Sequence, residues 1–355
     1  MSGEESATQP RRRSRSGVVT LRDVAALAGV GIKTVSRVVN GEPGVSPATA
    51  ERVRRATEQL GYRADLAAAS LRRGDRRTKS IGLLIPSVDN PFAGAVHRGI
   101  ENVATPRQVV VLSVSTDDDP EREKRLVGAL LQRRVDGLIV APSPAEQSYL
   151  APELGTHTPV VFIDREPRGY EADAVTSDNA EGVARATRHL IERGHRRIAY
   201  VGDDVGIGTS KVRYAAFRLA MAEAGLPVNE QLVALTRAEP SSEGRSAQAV
   251  TRLLTSEPAP TALLSAQNEA TEAALHVMRR LGLDHRVALV SFDDLPLADL
   301  LDPPLTAVAQ HPVAIGELAA QRLFARIDGT ITGPAETMVV ASTLHVRGSG
   351  EIPPT

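Results

Sequence analysis

The sequence predicts two kinds of structure in one chain: an all-α helix-turn-helix headpiece near the N-terminus, then an α/β core of parallel sheets. Three observations predict it. Residues 20–40, TLRDVAALAGVGIKTVSRVVN, place apolar side chains at helical spacing on either side of a glycine. From residue 80 onward, short runs rich in Val and Ile alternate with helical stretches, the pattern of parallel strands covered on both faces by helices. The charge divides at the same place. Residues 1–79 hold sixteen Lys or Arg against eight Asp or Glu, a net of +8, whereas the remainder carries −9.

The headpiece begins with Thr20 and Asp23, a capping-box variant that offers a hydroxyl to orphan N–H groups and a carboxylate to the first turn. Leu21, Val24, Ala25 and Ala28 follow at helical spacing, and Gly29 ends the helix. A second short helix runs from about Ile32 to Val39. Its inner side would be Val35, Val38 and Val39, leaving Ile32, Lys33, Ser36 and Arg37 available to a partner. Two short helices joined by a tight glycine turn are the geometry that lays the second helix into the major groove of DNA. A third helix starts at Ser46-Pro47, buries Val53, Ala56 and Leu60, and stops at Gly61. Residues 63–79 read as a linker carrying one short helix that is marginal alone. Arg11, Arg12, Arg13 and Arg15 lie in a stretch without apolar periodicity, so residues 1–17 are expected to be a disordered basic tail.

In the core, residues 81–85, 109–114, 137–140, 160–163, 198–201, 262–265 and 287–292 read as buried strands, and residues 121–133, 180–193 and 271–281 as helices between them. Open parallel sheets bind ligands beyond the carboxyl ends of their strands. That rule singles out Asp89-Asn90-Pro91-Phe92, Asp164-Arg165, residues 202–211, residues 266–269 and Asp293-Asp294.

A length of 355 residues suggests two or three domains. With no cysteine there are no disulfides, no thiol chemistry and no cysteine zinc sites. No apolar run approaches the ~18 residues of a membrane span, and the arginine-rich start is not followed by an apolar signal segment. A cytoplasmic protein that does not engage a membrane is expected, with no cofactor implied.

The residues DVAALAGVGIKTVSRVVNG and VSPATAERVRRATEQLGYRAD closely resemble the headpiece of the lactose-repressor (LacI/GalR) family of bacterial transcriptional regulators. IGLLIPSVDNPF, RRVDGLIVAP, VVFIDRE, HLIERGHRRIAYVGD, VSFDDLPLADLLDPPLTAV and LHVRGSG continue the resemblance, in order, over about residues 18–349. It implies a helix-turn-helix domain over 18–63, a hinge helix and linker over 64–79, and an effector-binding and dimerisation core over 80–349. That core would resemble periplasmic sugar-binding proteins, with an N-subdomain of about 80–176 and 309–339 and a C-subdomain of about 177–291 and 340–349. The chain would cross between them near 176, within 291–309 and near 339. A homodimer on a near-palindromic double-stranded DNA operator is implied, its affinity altered by a small-molecule effector. The chain's end soon after Arg347, without an apolar heptad tail, favours a dimer over a tetramer.

The resemblance also places individual residues. Ile32 and Lys33 would set base preference, Ile32 against a thymine methyl and Lys33 on guanine. Arg37 would reach base edges or phosphate, beside Ser36. Thr20 with Leu21 at the start of the first helix, Thr34 and Asn40 would position the backbone phosphates. Leu71 would wedge into the minor groove at the operator centre. In the effector cleft, Asp293 would accept hydrogen bonds from hydroxyls, Lys211 would stand where the family's effector-binding arginine sits, and Asn90, Phe92, Asp164, Arg165 and Gln267 would face the ligand. Gly31 replaces a capping serine, and Ala64 and Asp65 replace the usual Pro-Asn before the hinge. The cleft position often held by an aromatic falls near Glu239-Pro240. With no Trp and 3% aromatics, a polar, hydroxylated effector (a sugar or derivative) held by hydrogen bonds is expected. The rival classes are an enzyme on a doubly wound sheet and a pure solute receptor. Against the first, the glycines of 202–210 do not form G-x-x-x-x-G-K-[ST], and His189, His195 and His311 lack the context of a nucleophile elbow. His195 is read as a helix terminator. Against the second stands the basic headpiece.

Overall fold

The structure is a computed structural model that describes residues 19–62, 77–154, 158–204, 206–236 and 243–355. The expectations for the basic tail, for Ala64, Asp65 and the hinge Leu71, and for Glu239-Pro240 lie outside the described residues. The chain divides into two units, Met1–Thr78 and Lys79–Thr355.

In the first unit, α1 (Leu21–Ala28), α2 (Ile32–Val39) and α3 (Pro47–Leu60) enclose a small core of Val24, Ala25, Ala28, Val35, Val53 and Ala56. Local chemistry sets the ends of each helix. Thr20 N–H and its hydroxyl both donate to the Asp23 carboxylate, at 2.8 and 2.7 Å. Gly29, at φ +64°, reverses the chain after α1, a left-handed conformation that costs glycine little. Gly31 N-caps α2 without a side-chain bond, whereas the Ser46 hydroxyl accepts from Thr49 N–H at the start of α3. Leu60 and Tyr62 pack against this core as partly buried side chains.

The second unit holds two six-stranded sheets. The first contains β1 (Ser80–Ile85), β2 (Val110–Ser115), β3 (Leu138–Val140), β4 (Val160–Ile163), β5 (Asp173–Ser177) and β11 (Thr337–Val340), ordered β11-β5-β4-β3-β1-β2 and parallel throughout. The second contains β6 (Ile198–Asp203), β7 (Val233–Thr236), β8 (Ala262–Ser265), β9 (Ala288–Phe292), β10 (Thr306–Ala309) and β12 (Thr343–His345), ordered β12-β10-β9-β8-β6-β7. Only β12 runs antiparallel to its neighbour.

Helices cover both faces of each sheet, which is why the strands are apolar on both sides. On the first sheet, α4 (Pro91–Ala104) and α11 (Pro312–Ile327) bury one face, and α5 (Pro120–Gln132) with α6 (Leu150–Leu154) the other. On the second, α9 (Glu243–Leu254) and α10 (Asn268–Leu281) cover one face, and α7 (Asn179–Glu192) with α8 (Gly208–Glu223) the other. The chain passes between the sheets after β5, after β10 and after β11. The expected passage within 291–309 therefore falls later, because both β9 and β10 pair in the second sheet.

Two close contacts hold the first sheet to its crossing segments. Gly99 of α4 and Gly316 of α11 face each other's backbone. A Cβ on Gly99 would lie 2.1 Å from the Val313 carbonyl oxygen, and one on Gly316 would lie 2.1 Å from that of Val96. At the start of β5, the buried Asp173 carboxylate takes bonds from Arg322 (2.9 Å), Arg326 (2.7 Å) and Glu336 N–H (3.0 Å), tying α11 and the segment before β11 to β5.

Candidate nucleic-acid interface and ligand cleft

The helix pair of the first unit presents a polar face. Val35 is fully buried, while Ile32 is 45% exposed and Lys33 and Arg37 are exposed. Thr34 and Ser36 are partly buried. Asn40 caps the end of α2, and its amide donates to the Ser36 hydroxyl at 3.3 Å and to Glu42 at 3.4 Å. Leu21 packs against the headpiece core as a partly buried side chain, so it has its main-chain N–H to offer an anion rather than its side chain. Thr20 is already committed to Asp23, whose carboxyl those bonds hold below its usual value. A phosphate accepting from Thr20 would have to replace that carboxylate.

In the second unit, β1 and β3 flank the switch in strand order of the first sheet, and β6 and β8 that of the second. Ligand crevices form outside such points. The residues beyond the strand ends are polar and come from both halves. Asn90 N-caps α4 by accepting from Phe92 N–H at 3.0 Å, and also accepts from the Asn268 amide of the second half at 3.1 Å. Arg168 reaches across in the same way, donating to the Gly206 carbonyl at 2.9 Å. Phe92 is partly buried against the first sheet's core.

Arg165, beyond β4, is pinned by Asp164 (3.1 Å), by Asp118 beyond β2 (2.6 Å) and by the Pro142 carbonyl (3.1 Å). Burial disfavours its charge, but Asp164 and Asp118 outweigh that and raise its pKa. Asp118, Asp164 and Asp293 have positive φ values of 52°, 66° and 79°. Aspartate tolerates this left-handed region better than most residues, yet it remains costly. Together with Asp117 they are four of the eight non-glycine residues with positive φ among the described residues.

In the second half, Asp203 ends β6 and accepts from the Gln267 amide at 3.0 Å. Burial, then the nearby Glu269 carboxylate, push its carboxyl up to about 6, against the pull of Arg213 and Arg165. Asp293 accepts from Gln310 at 2.6 Å, and Gln310 in turn accepts from the Ser177 hydroxyl. Burial raises the Asp293 carboxyl also.

The cation at the centre of this half is Arg213. It is 6% exposed, donates to Asn179 Oδ1 at 2.7 Å and to the Ala266 carbonyl at 2.8 Å, and lies 3.8 Å above the Phe292 ring. Lys211, expected here, is exposed on α8. The correction is one of helical register: positions two apart on a helix point about 200° apart, so only one of them can face the sheet. Arg213 sits in the same TSKVRYAAF segment, and Phe217 four residues on is fully buried, a spacing that signals the inward face. Asp118, Asp203, Asn179 and Gln310 were also missed. Asp203 lay within the strand-end stretch already singled out; Asp118, Asn179 and Gln310 carried no local signal.

The other flagged residues have structural partners. Asp294 holds Arg347 through two bonds of 2.7 Å. His195 is fully buried, with its ring 2.9 Å from the Thr261 hydroxyl and 3.0 Å from the Ile352 carbonyl. It therefore ties the C-terminal segment to β8 rather than merely ending a helix. His189, on α7, ties the C-terminal segment to that helix, with its ring 3.1 Å from the Gly350 carbonyl. Among the described residues, no group of three or more His, Asp or Glu is placed to hold a metal ion, and no helix is long and apolar enough to cross a membrane.

A helix-turn-helix unit and a two-sheet core with a strand-end cleft, on one chain, define the class of DNA-binding regulators that carry a periplasmic-binding-protein-like domain. Residues 20–65 match the bacterial regulatory proteins of the lacI family, and residues 187–350 match the periplasmic binding protein-like domain. The HTH-type transcriptional repressor PurR of Aliivibrio salmonicida (strain LFI1238) is 33% identical over 313 residues, 87% of this chain and 92% of the relative. Among solved structures, the transcriptional regulator CelR–cellobiose complex is 32% identical with a TM-score of 0.68, covering 93% of this chain and 99% of that one. The Lac repressor bound to ONPG is 25% identical with a TM-score of 0.79, covering 94% and 99%. The chain belongs to the LacI family of bacterial transcriptional regulators.

Proposed function

We propose that this protein is a cytoplasmic, non-enzymatic repressor that binds a near-palindromic DNA operator as a homodimer, with a small polar effector in the cleft setting its affinity. The observation that carries the reading is the pairing, in one chain, of an exposed Ile32-Lys33-Arg37 face on α2 with a cleft of side chains from two sheets. Lys33 and Arg37 supply donors for guanine and phosphate, and Ile32 an apolar contact for a thymine methyl. Thr20, Thr34, Ser36 and Asn40, with Leu21 through its N–H, hold the register on the backbone. Leu71 is the minor-groove wedge of the operator centre.

In the cleft, Asn90, Asp164, Arg165, Gln267, Asp293 and Arg213 hydrogen-bond a hydroxylated ligand, a sugar or derivative, beside Phe92. A relative solved with cellobiose supports that class. Leu297 and Leu300, which are 68% and 73% exposed on one short turn, are candidate contributors to the surface of self-association.

The test is genome-wide footprinting of DNA bound by the full chain, followed by binding assays on the enriched site. A near-palindromic motif is expected, with Lys33→Ala costing about 1–3 kcal/mol on that motif and much less on random duplex. Leu71→Ala should likewise spare nonspecific binding. Enrichment without a repeated half-site, or equal losses on both duplexes, overturns the reading.

A further inference from the structure

We propose that effector binding is transmitted through Ser177, the last residue of β5, on which two hydrogen-bonded arms from the cleft converge, with Gln310 and Asn179 as the positioning residues that form them. The inference rests on the reading of the cleft as the effector site. One arm starts at Asp293, whose carboxylate accepts from the Gln310 amide at 2.6 Å. The oxygen of the same amide accepts from the Ser177 hydroxyl. The other arm starts at Arg213, which donates to Asn179 Oδ1 at 2.7 Å. The Asn179 amide in turn donates to the Ser177 carbonyl at 3.2 Å. Ser177, Asn179 and Arg213 are all buried.

These residues stand where the chain changes sheets. Ser177 closes β5 of the first sheet, Asn179 opens α7 on the second, and Gln310 follows β10. The three passages are also tied to one another in pairs. The bond from Ser177 to Gln310 joins the first to the second. Asp178 accepts from Ser342 N–H at 2.7 Å, joining the first to the third. Arg185 clamps that pair, donating to Asp178 at 3.2 Å and to the Ser342 carbonyl at 2.8 Å. The His311 ring lies 3.1 Å from the Thr343 hydroxyl, joining the second to the third. A shift at Ser177 is therefore felt at all three.

A ligand moves a conformational equilibrium only through contacts that differ between the two states. Ligand hydroxyls that bond Asp293 and Arg213 draw on the same groups that hold Gln310 and Asn179. Buried polar groups are costly to leave unpaired, so each amide follows its cleft partner, and its rigid plane carries the far end along. Both far ends lie on Ser177. The sheet that Ser177 closes is also the one that begins, at Ser80, directly after the linker from the headpiece. The two arms thus lead from the cleft to the half that the headpiece is joined to.

The experiment uses the full chain, with ribose, glucose and cellobiose as probes. Calorimetry reads sugar affinity, and fluorescence anisotropy reads the factor by which a saturating sugar changes affinity for the footprinted operator duplex. Ser177→Ala is expected to leave sugar affinity nearly unchanged and to shrink that factor about threefold to tenfold, the worth of one buried hydrogen bond. Ser177→Thr, which keeps the hydroxyl, should retain the factor. Asn179→Asp keeps the acceptor for Arg213 but removes the donor to the Ser177 carbonyl, and should shrink the factor through the second arm. Should Ser177→Ala fail to fold, Asn179→Asp decides alone. An undiminished factor in either variant, a factor lost equally in Ser177→Thr, or sugar affinity lost in step with the factor overturns this inference and leaves the effector reading standing. Failure of all three sugars to bind overturns both.

Discussion

Arg213 shows how much a single side chain can depend on register. It spends its donors on Asn179 and Ala266 and its face on Phe292, a use of the planar guanidinium that lysine cannot copy. Arg213→Lys is therefore expected to weaken effector binding by about tenfold to a hundredfold in calorimetry. Lys211→Ala, on the exposed side of the same helix, should change it by less than about twofold; the reverse order would return the role to Lys211. Asp173 gives a second prediction. Burial would raise its carboxyl, but the bonds from Arg326 and Arg322 outweigh burial and hold it at about 2. A depressed folded pKa stabilises the protein above the ordinary value of 3.8 and loses that contribution as pH falls through about 2. Asp173→Asn should cost about 3 kcal/mol at neutral pH and flatten the acid limb of a stability profile between those two values. At this scale Asn90, Asp164, Gln267 and Asp293 were legible, because each follows an apolar run and so must sit at a strand end. Asp118 and Gln310 were not, since only the fold brings them to Arg165 and Asp293.

Among the elements, the α4–α11 pair is the most demanding contact. Their glycines meet backbone, and backbone cannot move aside as a side-chain tip can. Gly99→Ala is expected to cost about 3 kcal/mol in denaturant unfolding. Gly94→Ala on the same helix, where an added Cβ meets nothing within 4 Å, should be neutral or stabilise by up to about 1 kcal/mol. Equal effects at the two positions would show that helix propensity, and not the close approach, governs α4. The headpiece helices were legible in full, because Thr20, Gly29, Ser46 and Gly61 mark their ends by local chemistry. The strands β5, β7, β10, β11 and β12 were missed. They are three to five residues long and include Asp173, Ser177, Thr306 and Thr337, too few apolar positions to stand out from turns.

For the whole molecule, DNA binding and ligand binding belong to separate units of one chain, so their coupling is the property to measure. Operator affinity should fall steeply with salt, its logarithm by about 0.9 per phosphate neutralised against the logarithm of salt, as read by fluorescence anisotropy. Saturating effector should change that affinity by about 5–150-fold, the range of ordinary allosteric coupling, at constant salt. An operator affinity indifferent to every ligand that stabilises the core would uncouple the two units. The passage between sheets after Ala309, rather than within 291–309, also belongs to this scale. Strand pairing decided it, and pairing joins residues far apart in the chain.

By itself the sequence determined the class of structure: helix caps, apolar spacing and a charge break at residue 79 are local properties, readable in order along the chain. It also placed most strand-end polar residues, because strand ends are where apolar runs stop. The tertiary structure alone decided which of two cations on α8 is buried against the sheet, and that Asn179, the Ala266 carbonyl and the Phe292 ring hold it there. Those are facts about distances between segments, and charge acts across such distances regardless of the order of the residues in the chain.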